Sequence, residues 1–291
     1  MRSKLFVPGS RAELFAKAFA SDADAISFDV EDSVPEGAKP RAREHVAAFL
    51  RSEVVQASEK LVIVRINALG TAHFVDDLMA FVQPGVALLN LPKAESAEEV
   101  RAAALALERA EQSSGMDGRI GLLVNIETQK ALRLAAEIAT AHPRVAGLQL
   151  GLGDLFESLG VDRHESANVH AAMFAMRMAA GEAGRFACDS AYPDLQDEAG
   201  FRLEAGLAQR LGYCGKSCVH PRQVAWANAV FGAAEPDLDQ ARRIVAAAKE
   251  AARDGRGAFV VDGRMIDLPF LRRAEAVLAE AADRSGIDGT R

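Results

Sequence analysis

Two acidic residues stand where an acid is unexpected. Glu127 follows GLLVNI, an apolar run that reads as a buried strand, and Asp154 sits in GLGDL, where glycines let the backbone approach a ligand closely. Carboxylates from adjacent strands, with few other ligands, suit Mg2+, which keeps several waters and takes one or two protein carboxylates plus substrate oxygens. The lack of a His/Cys cluster argues against zinc. The competing reading is structural, with Glu127 paired to a lysine and Asp154 capping the next helix. Either acid alone favours that reading; both together favour a metal. Arg65, in VRINAL, is a charge inside another buried run and needs a partner or a ligand. Its planar, permanently charged fork suits an oxo or carboxylate oxygen, and an ion pair with Glu31 or Asp32 is compatible with that role. Glu31 and Asp32, in FDVEDSV, would either orient metal-bound waters or accept hydrogen bonds from Lys39 and Arg43. Lys93, in LPKAES, is either a ligand-facing cation or a neighbour of a helix start. His220, before Pro221, fits a turn-capping histidine better than a base.

These residues are spaced by a regular architecture. Short apolar runs recur at 4–9, 24–30, 61–67, 86–92, 119–127, 145–151, 185–191 and 213–219, and segments of helical period, such as 40–51, 97–112 and 130–142, lie between them. The runs are apolar nearly throughout, which suits parallel strands covered on both faces. Eight strand–helix units predict a closed (β/α)8 TIM barrel, with a doubly wound open sheet as the alternative. Polar residues mark the ends of successive runs at 27–35-residue steps: Glu31 with Asp32, Arg65, Lys93, Glu127, Asp154, Asp189 and Lys216. Barrel enzymes carry their chemistry at the C-terminal ends of strands, so these side chains are expected to converge on one mouth.

After residue 220 the pattern changes to helices near 222–232 and 237–253, then the Gly- and charge-rich ARDGRGAF. The tail VVDGRMIDLPF predicts a short strand or turn and a helix starting near Pro269, with Asp267 as a capping acid. Residues 1–232 read as the barrel and 233–291 as a C-terminal helical extension able to act as a lid.

Composition narrows the function. A net charge of −7 over 291 residues argues against a nucleic-acid binder, and an anionic ligand would need a local basic patch. The three cysteines, Cys188, Cys214 and Cys218, are too few and too loosely spaced for a disulfide framework or a zinc site, and read as buried small residues. MRSKLFVPGSR has too short an apolar run for a signal peptide, and no stretch is long enough to span a membrane, so the cytoplasm is the expected location. There is no P-loop, no strand-following GxGxxG and no nucleophile elbow.

The stretches RSKLFVPGSR, DAISFDVEDSVPEGAKPRAR, VRINAL, LPKAES, NIET, GLGDL, LGYCGKSCVHPRQV and DGRMIDLPF together resemble the citrate lyase beta-subunit family, which includes malyl-CoA and citramalyl-CoA lyases and belongs to the HpcH/HpaI aldolase group. The resemblance runs from residue 2 to about 275. It implies a TIM barrel, a homotrimer or dimer of trimers, and Mg2+ held by Glu127 and Asp154. It places Arg65 on the reacting oxygens. It makes Asp267, in the MID motif of the lid, an acid that reaches a neighbouring subunit's site. It puts coenzyme A over the mouth near the basic N-terminal segments, with Arg2, Lys4, Arg11 and Lys39 as candidate contacts. Two departures, NIETQKAL and GLGDL, keep both acids but bear on the pocket for the oxo-acid side chain, so the resemblance does not fix which acid is used.

The expected reaction is cleavage of a 3-hydroxy-dicarboxylic acyl-CoA (citramalyl-, malyl- or citryl-CoA) into acetyl-CoA and a 2-oxo acid. Arg65 would stabilise the developing oxyanion, backbone N–H groups around Gly153 would hold the free carboxylate, and Asp267 would exchange a proton with the enolate carbon. Lys93 is a candidate substrate contact, and Glu31 and Asp32 are candidate catalytic acids. The alternatives are a citrate lyase beta subunit using an acyl-carrier-protein thioester, a free-acid aldolase, and a non-catalytic acyl-CoA-binding barrel. The DGRMID motif tells against the first two, and joint retention of Arg65, Glu127, Asp154 and Asp267 tells against the third.

Overall fold

Eight parallel strands close on themselves in a computed structural model that describes residues 1–116, 118, 120–232 and 235–288. They are β1 (Ser3–Pro8), β2 (Ala25–Asp29), β3 (Leu61–Arg65), β4 (Leu88–Leu91), β5 (Gly121–Ile126), β6 (Val145–Leu150), β7 (Phe186–Asp189) and β8 (Gly215–Cys218). Each pairs with its sequence neighbour, and β1 pairs with β8, so the open-sheet alternative is excluded. Helices cover the outside, as expected where each connection must cross back over the sheet.

The uniformly apolar runs follow from this arrangement, because one face of every strand meets helices and the other fills the barrel. Outward residues such as Leu5, Ile26, Phe28, Val64, Leu89 and Val124 join the large core beneath the helices. Inward residues Ala25, Ile63, Leu88 and Leu123 form a separate apolar plug at the N-terminal end. The next inward positions turn polar: Ser27, Asn90, Asn125, Gln149 and Ser217 are all buried. Asp29 and Arg65 are inward one or two steps further, opposite each other in the β2–β3 register. A polar barrel interior leading to a charged rim is the framework for the site.

Two of the expected rim residues are turned the other way. Ser3, the register partner of Lys216, points outward to Asn228 on the helix Pro221–Phe231. Lys216 likewise points outward and bonds Asp189 Oδ2 and Glu204 Oε1, both at 2.6 Å. Glu204 lies on the outer helix Glu198–Arg210 and also takes Arg163, at 2.6 Å. Asp189 and Lys216 therefore build a closed ion network between sheet and helix rather than part of the mouth.

The chain divides into two compact units, Met1–Phe231 and Gly232–Arg291. The expected start of the extension, residue 233, lies outside the described residues. Within the second unit, the helices Glu235–Arg253 and Leu268–Asp288 flank an antiparallel hairpin of β9 (Phe259–Val261) and β10 (Arg264–Ile266). Asp262 and Gly263 make its turn with φ of 49° and 76°, the two positive values that a type I′ hairpin requires. Ala241, Ile244, Ile266 and Ala274 form this unit's small core.

Candidate active site

Arg65 ends β3 and is mostly buried, with 15% of its side chain exposed. Its Nε and Nη2 donate to Asp29 at 2.8 and 2.6 Å, and Nη1 lies 3.2 Å from Glu31 Oε2. Burial works against the guanidinium charge, but Asp29 and Glu31 more than offset it and raise its pKa. Burial also works against the Asp29 carboxylate, yet Arg65 holds its pKa below the usual range. Asp29 was not singled out by sequence. The readable signal is its place two residues beyond Ser27 on the same face of β2, level with Arg65 across the sheet. Asp29 also accepts the N–H groups of Glu31 (3.0 Å) and Ser33 (3.2 Å), fixing the loop that carries Glu31 and Asp32.

Glu127 directly follows β5, and Thr128 caps the helix Gln129–Arg133, so the chain turns sharply just past the acid. Both carboxylate oxygens are oriented: Oε1 accepts the Lys93 N–H at 2.7 Å and Oε2 accepts Asn125 Nδ2 at 2.9 Å. Asn90 Nδ2 in turn donates to Asn125 Oδ1 at 2.6 Å. Gly151 gives Glu127 its space, because a Cβ there would lie 2.5 Å from Glu127 Cβ and 3.0 Å from Oε2. Burial pushes the Glu127 carboxyl up to about 7 against the Lys93 N–H, and the charge of Asp154 adds to the rise. Asp154 itself is exposed, in the first turn of the helix Leu152–Glu157 that follows β6, with Gly153 exposed beside it.

Lys93 adopts φ 55°, one of two positive values among the described non-glycine residues, at a cost of ~1–3 kcal/mol. Its ammonium donates to Glu31 Oε1 at 2.6 Å and to both Asp32 oxygens at 2.9 and 3.1 Å. Burial opposes its charge, and the two acids raise its pKa nonetheless. Burial raises the Glu31 pKa; Asp32, more exposed and held by Lys93, is lowered despite its own partial burial.

The remaining expected contacts fall into two groups. Arg11 sits just past β1 at the mouth, exposed and paired with Glu13. Arg2, Lys4 and Lys39 do not fit a ligand over the mouth. Arg2 precedes β1 at the opposite end of the barrel and is locked to Asp24 by its own N–H and by Nη2 at 2.7 Å. Lys4 is fully buried inside the barrel and reaches Gln149. Lys39 spends its ammonium on Val30 O, Glu31 O and Asn67 Oδ1 at 3.3, 2.8 and 2.7 Å, so it tethers the loop after β2. Arg43 goes to Asp77, at 2.7 Å, and not to Glu31 or Asp32. His220 Nδ1 accepts the Arg222 N–H at 3.1 Å, as a turn cap does.

Five carboxylates thus gather at one rim: Asp29, Glu31, Asp32, Glu127 and Asp154. They outnumber the cations Arg65, Lys93 and Lys39, even with Lys4 below them included. Among the described residues no group of three or more His, Cys, Asp or Glu side chains is arranged as a metal cage. A cation here would rest on two carboxylates and on oxygens the protein does not supply, which is how Mg2+ is commonly held. The oriented Glu127, the space left by Gly151 and the nearby Asp154 fit that ion.

Acids at strand ends around a guanidinium suit a metal-assisted barrel enzyme. Residues 2–221 match the HpcH/HpaI aldolase/citrate lyase family. The chain is 38% identical over 288 residues to the citrate lyase subunit beta of Escherichia coli strain K12, covering 98% of this chain and 94% of that one. It is 33% identical over 301 residues to the L-malyl-CoA/beta-methylmalyl-CoA lyase of Rhodobacter capsulatus, covering 96% and 94%. A solved structure of protein CitE from Mycobacterium tuberculosis, in complex with magnesium, acetoacetate and coenzyme A, superposes with a TM-score of 0.76 at 32% identity, covering 97% of this chain and 100% of that one. The chain belongs to the HpcH/HpaI aldolase/citrate lyase family and is a magnesium-dependent carbon–carbon lyase.

Proposed function

We propose that this lyase cleaves a 3-hydroxy-dicarboxylic acyl-CoA thioester, of the malyl-, citramalyl- or citryl-CoA type, into acetyl-CoA and a 2-oxo acid. The observation that carries the reading is the excess of carboxylates around Arg65, with Glu127 oriented on both oxygens beside Asp154. Glu127 and Asp154 would hold Mg2+. When bound, the ion supplies Lewis-acid polarisation of the substrate's hydroxyl and carboxylate oxygens.

Arg65, fixed by Asp29 and Glu31, presents a guanidinium that cannot lose its proton and so stabilises the oxyanion that develops as the carbon–carbon bond breaks. Backbone N–H groups around Gly153 hold the free carboxylate of the substrate. Asp267 would give a proton to the enolate carbon, completing acetyl-CoA. Arg11 is the basic residue retained for the phosphates of coenzyme A. A homotrimer or dimer of trimers, with the second unit serving as a lid over a neighbour's site, and a cytoplasmic location complete the proposal. The free cysteines support that location, and among the described residues no helix is long and apolar enough to cross a membrane.

A second reading has its own support. The 38% identity to a citrate lyase beta subunit exceeds the 33% to a malyl-CoA lyase. On that reading the thioester is carried by an acyl-carrier protein. The deciding assay presents malyl-, citramalyl- and citryl-CoA with Mg2+ and measures 2-oxo acid release. Turnover of one of these supports the proposal. Release only from the acyl-carrier-protein thioester replaces it with the second reading.

A further inference from the structure

We propose that Lys93 is a positioning residue for the metal carboxylate and the acids around Arg65, not a substrate contact; the inference rests on the magnesium reading above. Its backbone and side chain do separate work. The left-handed φ of 55° aims the Lys93 N–H at Glu127 Oε1, 2.7 Å away. From there the side chain crosses the rim, and its ammonium takes Glu31 Oε1 at 2.6 Å and both oxygens of Asp32. Glu31 also faces Arg65 Nη1 at 3.2 Å. One residue thereby links the carboxylate that would hold the ion to Glu31, one of the two acids that hold the guanidinium.

The strain at Lys93 is informative, because non-glycine residues keep a left-handed conformation only where surrounding contacts enforce it. Here the enforced conformation delivers an N–H to the oxygen of a buried acid. That bond fixes which lone pairs of Glu127 remain for a cation. The second donor, Asn125 Nδ2 on Oε2, restrains the other oxygen, so the carboxylate is held at two points.

Asn and Val at this position both remove the ammonium but differ in the backbone they accept. Asn enters the left-handed region readily, whereas a β-branched side chain is an outlier there. Calorimetric titration with Mn2+, in place of Mg2+, on the full-length chain therefore separates the two functions. Lys93→Asn is expected to bind Mn2+ within about 3-fold of wild type, and Lys93→Val about 10-fold or more weaker. Equal affinities for the two variants would overturn the backbone role. If Lys93→Val does not fold, Lys93→Gly replaces the comparison: it keeps both the N–H and the positive φ, and a Mn2+ affinity as weak as that of Glu127→Gln would overturn the same role. Kinetics test the side chain. Lys93→Asn is expected to lower kcat about 10-fold or more, with KM changed less than 3-fold, and Lys93→Arg to recover part of kcat. A raised KM with kcat retained would mean that the ammonium binds substrate instead. Failure of the wild-type chain to bind Mn2+ would remove the magnesium reading itself; wild-type binding that Glu127→Gln abolishes, with Lys93→Asn and Lys93→Val alike, would remove only this inference.

Discussion

Two clusters of buried charge sit on opposite faces of the barrel wall, one on β7 and β8 and the other at the ends of β2 to β6, and they are built to different rules. Outside the barrel, Lys216 and Arg163 meet Asp189 and Glu204, two cations against two acids. Lys216 and Asp189 are entirely buried. Inside, at the rim, the acids outnumber the cations, and among the described residues no cationic side chain is bonded to Glu127. A balanced, fully bonded set has nothing left to offer a ligand. A set short of positive charge, with its carboxylates already oriented, is stabilised by adding a cation. Charge balance, more than the mere presence of buried ions, separates the structural cluster from the working one.

The sharpest way to break this contrast is to neutralise one charge in each cluster. Glu127→Gln should lower turnover by roughly 10³-fold, about 4 kcal/mol in the barrier. Without metal it should change folded-state stability by no more than ~1–3 kcal/mol, because burial already disfavours the Glu127 charge while the Gln amide can accept only one of the two bonds that the Lys93 N–H and Asn125 Nδ2 donate. Steady-state assay and urea unfolding of one preparation check both halves, and a large loss of stability would place Glu127 in the structural class. Lys216→Met should do the reverse. It leaves Asp189 and Glu204 buried with Arg163 alone, and removing one partner of such a network costs ~3–5 kcal/mol. The fraction that still folds should keep turnover within a few-fold of wild type.

Gly151→Ala has a smaller expected effect. The added methyl would overlap Glu127 Cβ, and the helix that follows must shift to accept it. Overpacking of this kind costs ~1–3 kcal/mol, and the displaced carboxylate should bind Mn2+ several-fold more weakly. Calorimetry showing unchanged affinity would mean that Gly151 serves the fold alone.

The same two clusters show how far the sequence could be read. The eight strands were legible because parallel strands covered on both faces leave uninterrupted apolar runs, and Arg65, Glu127 and Asp154 stood out against them. Direction was not legible from strand ends alone. Side chains alternate along a strand, so an offset of one residue sends Lys216 and Asp189 to the helix layer while Arg65 and Asp29 face inward. Arg65 does pair with Glu31, one of the two acids that the sequence offers it, but its shorter bonds go to Asp29, which the β2–β3 register puts opposite it. Arg2 and Lys4 carry the charge expected of a phosphate contact but begin their strand, at the closed end of the barrel. The backbone of Lys93 could not be foreseen, since nothing local in LPKAES calls for a positive φ; the Glu127 bond that enforces it comes from the next strand.

Lys4 extends the comparison to a third case, a buried cation inside the barrel whose hydrogen-bond partner among the described residues is neutral. Its ammonium reaches Gln149 and lies 4.2 Å from the Phe6 ring. Burial lowers its pKa, the Arg65 charge adds to the drop and Cys188, Asp29 and Cys214 oppose it, which leaves the ammonium at about 8. The folded chain therefore gives up this proton more readily than the unfolded one. The penalty for the buried charge is full below about pH 8 and is relieved as pH rises toward the ordinary lysine value of 10.5, so this group makes stability increase across that window. Lys4→Met removes the charge and strands the Gln149 oxygen, two effects of opposite sign of ~1–3 kcal/mol each, so the net change at pH 7 should be small. The pH dependence is the decisive quantity. Unfolding free energies of wild type and Lys4→Met measured from pH 7 to 10.5 should differ by an amount that shifts toward wild type above pH 8. A difference that stays flat would mean that Lys4 is as easily protonated as a surface lysine and that the barrel interior is wetter than its burial implies.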